Sequence, residues 1–181
     1  MYRILTAFFI SLLLVLPAAA EGPTGQTILT VTGEISKPNR KPADDFADAF
    51  FTSHDVSFER AASFDLASLE ALGMKTLVAS YPDWPKTLTF QGPLLSDVLK
   101  AVGAEGTKLI VRALDGYAPE IPVADVEKYP VILALKTDGK YLGIGDRGPS
   151  WIIYPRNDYT ELAEEDDAKF VWSVYHIEVR K

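Results

Sequence analysis

The sequence predicts one α+β domain with mixed, strand-dominated sheets and a few short helices. Three observations predict it: many apolar segments of strand length, few and short helical repeats, and connections mostly too short for parallel crossovers. The chain has 181 residues, enough for one domain with a full core. Its 48% hydrophobic and 24% charged residues are those of a globular protein.

Met1 to Ala20 comes first, with one cation (Arg3), an apolar stretch from Ile4 to Leu16, and Pro17-Ala18-Ala19-Ala20. A charged start, an apolar middle and small residues at the −3 and −1 positions describe a secretory signal cleaved before Glu21. The apolar stretch falls short of the roughly 20 residues that a spanning helix needs, so 1–20 reads as a signal peptide and 21–181 as the domain. The expected location is periplasmic, with no stable membrane insertion.

Within the domain, Ile28 to Ile35 alternates apolar and polar residues, as a half-buried strand does. Ser36 to Asp45 is polar with two prolines and reads as a loop. Phe46, Phe50, Phe51 and Phe58 then cluster in a segment ambiguous between helix and loop. Asp65 caps a predicted short helix with leucines at 66, 69 and 72, closed by Gly73. Met74 to Ser80 reads as a strand, Tyr81 to Pro85 as a loop and Leu88 to Gln91 as a strand. Pro93, the leucines at 94, 95 and 99, Val98, Val102 and Gly103 predict a helix. Lys108 to Leu114 reads as a strand ending at Asp115-Gly116, and Val123 to Tyr129 as a helix. Val131 to Leu135 and Lys140 to Leu142 flank the hairpin signal Thr137-Asp138-Gly139. Trp151 to Tyr154 and Val174 to Val179 are the last strands, separated by an acidic loop from Glu161 to Asp167.

The composition excludes several classes of function. A formal charge of −7 argues against a nucleic-acid binder. The absence of cysteine excludes disulfides, thiolate nucleophiles and every sulfur-held metal. The two histidines, His54 and His176, lie far apart and read as structural. No Gly-x-Ser-x-Gly elbow is present, and Gly143-Ile144-Gly145 lacks the third glycine of a dinucleotide loop. A pair of carboxylates for glycoside chemistry stays open.

Three groups of aromatic and polar residues follow strands: Tyr81, Asp83 and Trp84; Asp115 and Tyr117; Asp146, Arg147 and Trp151 around Gly148-Pro149. Singly, each aromatic reads equally well as core and each polar residue as a turn former. Together they suggest a cleft for a flat polar heterocycle, with rings stacking on its faces and a carboxylate accepting its N–H donors.

Phe90-Gln91-Gly92-Pro93-Leu94-Leu95-Ser96-Asp97-Val98-Leu99, Leu114-Asp115-Gly116-Tyr117 with Ile121-Pro122, Val131-Ile132-Leu133-Ala134 with Asp138-Gly139, and Gly148-Pro149 with Pro155 follow one another in order. In that order they resemble the sulfite-oxidase-type molybdopterin-binding domain, over roughly Ile28 to Val179. Two departures stand out. The position of the family's molybdenum-ligating cysteine falls in Leu77-Val78-Ala79-Ser80, and the arginine after Gly-Pro is replaced in Gly148-Pro149-Ser150-Trp151. A serine hydroxyl is a poor ligand for a soft metal. The sequence looks closer to a cysteine-less periplasmic branch of PruR-type proteins.

That resemblance implies a non-enzymatic protein that binds a pterin and reports its occupancy to the periplasmic domain of a membrane-bound cyclic-di-GMP enzyme, a diguanylate cyclase or phosphodiesterase. Molybdenum is not expected. Under this reading Trp84 and Trp151 stack on the ring, and Tyr117 walls it and bonds through its hydroxyl. Asp115 or Asp146 accepts the 2-amino and N3 protons, while Arg147 and Ser80 meet the carbonyl or a tail beside Tyr81. The segment Ser36–Phe58 reads as a partner contact or lid, or equally as a packing insertion. Two alternatives stand beside this one: a molybdopterin-dependent oxidoreductase with Ser80 as an oxygen ligand, and an interaction domain whose own side chains fill the cleft.

Overall fold

The computed structural model describes residues 22–163 and 167–181. The expected signal peptide, and Glu164-Glu165-Asp166 of the acidic run, lie outside the described residues. In chain order the elements are β1 (Thr27–Gly33), α1 (Ala49–Ser53), β2 (Ala61–Asp65), α2 (Leu66–Glu70), β3 (Lys75–Ala79), β4 (Leu88–Gly92), α3 (Leu95–Val102) and β5 (Lys108–Ala113). Then follow β6 (Glu120–Pro122), α4 (Val123–Lys128), β7 (Ile132–Ala134), β8 (Lys136–Thr137), β9 (Lys140–Tyr141), β10 (Trp151–Ile153), α5 (Thr160–Ala163) and β11 (Val174–Arg180).

They form a five-stranded sheet in the order β2-β1-β11-β5-β6, a four-stranded sheet β3-β4-β8-β9 and a β10-β7 pair. Among the described strands, β1 with β11 is the only parallel pair, and every other pairing is antiparallel. This is the α+β arrangement that the short connections predict. The parallel pair places the first and last strands side by side within the large sheet.

Leu29 and Val31 of β1, Ile177 and Val179 of β11, and Leu109 and Val111 of β5 point into one core with Leu95, Val98, Leu99 and Val102 of α3. The spacing of those α3 residues puts them on one helix face. Gly103 closes the helix at φ +60, where a left-handed residue is needed. α2 begins as predicted, with Asp65 and Ser68 forming a reciprocal capping box.

Several expectations need correction. Pro93 does not start α3. The helix opens at Leu95, whose N–H donates to the Val131 carbonyl at 2.9 Å, while the Pro93 carbonyl accepts from Leu133 N–H at 2.9 Å. One expectation holds beside these: the Asp138-Gly139 turn, with φ +46 and +79, closes a hairpin that joins β8 to β9, and Leu142 N–H donates to the Leu135 carbonyl at 2.9 Å, so Lys140–Leu142 is one arm and Leu135 ends the other. Upstream of Leu135 the arm leaves the hairpin, and Ile132–Ala134, as β7, pairs with β10. β2 and β6 carry no recognisable signal: β2 is buried at all five positions, so it shows no alternation.

β1 is buried on both faces, not one. Thr30 and Thr32 of β1, Ser63 of β2 and His176 of β11 form a polar stripe on the far side of the sheet from the core. The Ser36–Phe58 segment covers that stripe. Its Val56 and Phe58, with Ala61, make a second small apolar cluster against Phe51. Beneath it, Thr32 Oγ1 lies 2.8 Å from His176 Nε2. Burial, with the nearby Arg112 cation adding to it, pushes the His176 imidazole down to about 3.

Candidate functional site

Four loops meet at the open end of the large sheet: the β3–β4 loop, the turn after β5, the loop before β10 and the segment entering β11. Between them lies a cavity of about 280 Å³. Its walls include Trp84, Tyr117, Phe170 and Trp172, with Asp115, Asp167 and Arg147 supplying charge.

The floor is built by the backbone. Trp151, 2% exposed, donates from its indole nitrogen to the Phe170 carbonyl at 2.9 Å, and Ile152 N–H donates to the Val171 carbonyl at 2.8 Å. Ser173 sits at φ +53, an unusual conformation for a residue with a Cβ. There its N–H donates to the Arg147 carbonyl at 2.9 Å and its carbonyl accepts from Leu114 N–H at 3.0 Å. Ser173 thus ties three of the four loops together. Gly148 carries no side chain for a visible reason: a Cβ there would come within 2.4 Å of the Leu142 backbone.

Arg147 defines the electrostatics. Its guanidinium carbon lies 4.8 Å from the Trp151 ring centroid and 5.7 Å from that of Trp172. Among the described residues no carboxylate comes within ion-pair distance of it. A stacked, uncompensated guanidinium facing a cavity presents N–H donors to whatever enters. Asp115 has one oxygen committed, since Oδ1 accepts from Tyr117 N–H at 3.0 Å. Its other oxygen has no hydrogen bond to a described residue. The Tyr117 hydroxyl donates to the Ala168 carbonyl at 3.0 Å, which pins one wall to the loop entering β11.

The structure brings together five of the eight residues singled out from sequence: Trp84, Asp115, Tyr117, Arg147 and Trp151 line this cavity. Asp146 does not. It lines a neighbouring lobe of about 500 Å³ that shares Trp84, Arg147 and Trp151 with the first. Ser80 and Tyr81 line neither lobe. Ser80 donates to Asn157 Oδ1 at 3.2 Å, and the Tyr81 ring is capped by the Arg156 guanidinium at 4.5 Å. Trp151 offers no open face, being enclosed by Trp84, Phe90 and Arg147 with ring centroids 5.3 and 5.2 Å from the two aromatics.

Sequence reasoning missed Asp167, Phe170 and Trp172. The signal was the third tryptophan of the chain, directly before the last strand. It precedes a strand rather than following one, so the pattern of aromatic and polar residues after strands does not include it.

No family model matches the sequence, and no curated protein is similar to it. Among solved structures, the crystal structure of the sulfane dehydrogenase SoxCD from Paracoccus pantotrophus is similar, with a TM-score of 0.57 and 15% identity. The chain has the sulfite-oxidase-like fold. The match covers 90% of this chain but only 40% of the SoxCD chain, and at this identity the likeness concerns the fold alone.

The sequence resemblance carries the expectation of a molybdopterin cofactor, and the donor set can be tested against it. Molybdenum does not fit. The position expected to hold the metal-ligating thiolate falls in Leu77-Val78-Ala79-Ser80, where Ala79 has no donor and the Ser80 hydroxyl is engaged with Asn157 and outside the cavity. Among the described residues no group of three or more histidine or acidic side chains is placed to hold an ion. The cavity has aromatic walls, one carboxylate oxygen without a hydrogen bond to a described residue and one guanidinium without an ion pair to one.

Proposed function

We propose that this protein binds a pterin without redox chemistry. The observation that supports it is the Arg147 guanidinium, without an ion pair among the described residues and stacked on Trp151 and Trp172 in the same cavity as Asp115. The 2-amino-4-oxo edge of a pterin places N–H donors beside a carbonyl oxygen. Asp115 accepts from the donors and Arg147 donates to the carbonyl, so both ends of the edge are satisfied by charge-assisted bonds. Trp172, 40% exposed, and Tyr117, 48% exposed, supply faces for stacking. Trp151 acts as a floor under Arg147 rather than as a stacking partner. The neighbouring lobe, with Asp146, receives the substituent on the ring.

Tryptophan emission of the purified protein, titrated with neopterin, tests this reading. Saturable quenching is expected, because a stacked ring lies against an indole. Asp115→Asn weakens binding at least tenfold, and Asp146→Asn leaves it within about twofold. Absence of quenching, or an Asp146 dependence with no Asp115 dependence, contradicts the assignment. So does molybdenum in stoichiometric amount by elemental analysis.

Export and signalling belong to the same proposal. Met1–Ala20 directs the chain to the periplasm, and the liganded protein reports to the periplasmic domain of a membrane-bound cyclic-di-GMP enzyme. The resemblance of Trp84, Asp115-x-Tyr117 and Gly148 to Pro155 to PruR-type proteins supports this reading. Amino-terminal sequencing of the exported protein checks the first part, with Glu21 expected at the start.

A further inference from the structure

A second cavity, of about 590 Å³, lies on the opposite side of β1 from the core, between the polar stripe of the large sheet and α1. Its volume falls within the ordinary range for small-molecule sites. It shares no lining residue with the aromatic cavity, and none of the three tryptophans reaches it.

The floor holds three polar atoms in a regular arrangement. Thr30 Oγ1 and Ser63 Oγ lie 3.4 Å apart, and Arg40 Nη1 lies 3.4 Å from each of them. Thr30 is 1% and Ser63 4% exposed. Hydroxyl hydrogen bonds favour 2.7–2.8 Å, so the three contacts at 3.4 Å are long ones. An acceptor oxygen seated above the triangle reaches all three corners at about 2.9 Å. Arg40 Nη1 donates to both hydroxyls and one hydroxyl donates to the other, which leaves one hydroxyl hydrogen for an entering acceptor.

The walls set the rest of the ligand. Phe50, Phe51, Tyr175, Leu114 and Ile144 line the space above the floor. Arg40 and Asp48 are the only charged residues among the described lining, and they pair with each other at 2.5 Å. The floor therefore donates a hydrogen bond without carrying net charge, and a carboxylate entering it would meet Asp48 with no free cation to offset its desolvation.

We infer that this cavity is a second ligand site, for a small, neutral, mostly apolar molecule carrying one carbonyl oxygen. The oxygen sits on the Thr30–Ser63–Arg40 triangle and the apolar body lies against Phe50, Phe51 and Tyr175. The inference is independent of the pterin reading, since the two cavities have no residue in common.

Three probes of matched size test it by amide NMR on the purified protein: 4-phenyl-2-butanone, 3-phenylpropanoate and butylbenzene. The ketone is expected to shift the amides of Thr30, Ser63 and Phe50, and to bind at least tenfold more tightly than either of the others. Tryptophan emission stays unchanged throughout. In a Thr30→Val, Ser63→Ala double variant the preference for ketone over hydrocarbon disappears while butylbenzene binds as before. Because the comparison among probes is made on the unaltered protein, it stands even if the variant fails to fold. Equal affinity for ketone and hydrocarbon, tighter binding of the carboxylate, or no shift at these amides with any probe (a floor that holds water only) overturns the proposal.

Discussion

Arg147 and Asp115 carry the proposed recognition, and each has a different failure mode. Arg147→Met keeps the apolar contact with Trp151 and Trp172 but removes the donors, so pterin affinity is expected to fall tenfold or more with little change in stability. Isothermal titration beside a thermal melt separates the two effects. His176 is the residue with the largest pH consequence outside the site. Its imidazole is held at about 3 in the folded chain, against 6.5 for the unperturbed side chain. The unfolded state therefore binds a proton that the native state refuses. Stability attributable to His176 is full above pH 6.5 and is lost as the pH falls towards 3. Between those limits the slope approaches one proton, about 1.4 kcal/mol per pH unit. Denaturant midpoints of the protein and of His176→Gln, measured from pH 4 to 7, are expected to converge as the pH drops. Parallel curves would show that His176 does not titrate with folding.

At the scale of elements, the site depends on how four loops are held to the sheets. Gly148 lies against the Leu142 backbone, and Ser173 at positive φ links the Arg147 and Leu114 loops. Gly148→Ala forces these loops apart. It is expected to cost about 1–3 kcal/mol in stability and to weaken pterin binding together with it, as a melt and a titration on one preparation would show. A normal affinity in a destabilised variant would mean the loops are positioned by other contacts. The same elements show what was legible in the sequence. α3 was readable because Leu95, Val98, Leu99 and Val102 repeat at helical spacing and Gly103 ends them. The Asp138-Gly139 hairpin was readable from its two turn residues, whereas the pairing of Ile132–Ala134 with β10 was not, because a turn dipeptide does not say where its arms part. β2 was invisible: buried on both faces, Ala61 to Asp65 has no period to detect.

Over the whole molecule, the large sheet separates two environments. One face packs on α3 and the core. The other carries Thr30, Thr32, Ser63 and His176 under the Ser36–Phe58 segment. Of the two readings of that segment, packing is satisfied by Phe51 and Phe58. Phe46, at 94% exposed, packs on nothing comparable and stays the residue to examine for partner contact. The aromatic cavity was only partly legible for a reason at this scale. Its walls come from loops some ninety residues apart, and the fold alone decides that Asp115 and Arg147 meet in one lobe while Asp146 falls in the next. The central claim is that this lobe reads the edge of a pterin through Asp115 and Arg147. Comparing the affinities of pterin and lumazine tests it most directly, because lumazine keeps the bicycle and the 4-oxo group but replaces the 2-amino donor with an oxygen. Lumazine is expected to bind at least tenfold more weakly, since its 2-oxo group faces the Asp115 carboxylate. Equal affinities would mean that the rings are held by stacking alone, and the assignment of Asp115 would be wrong.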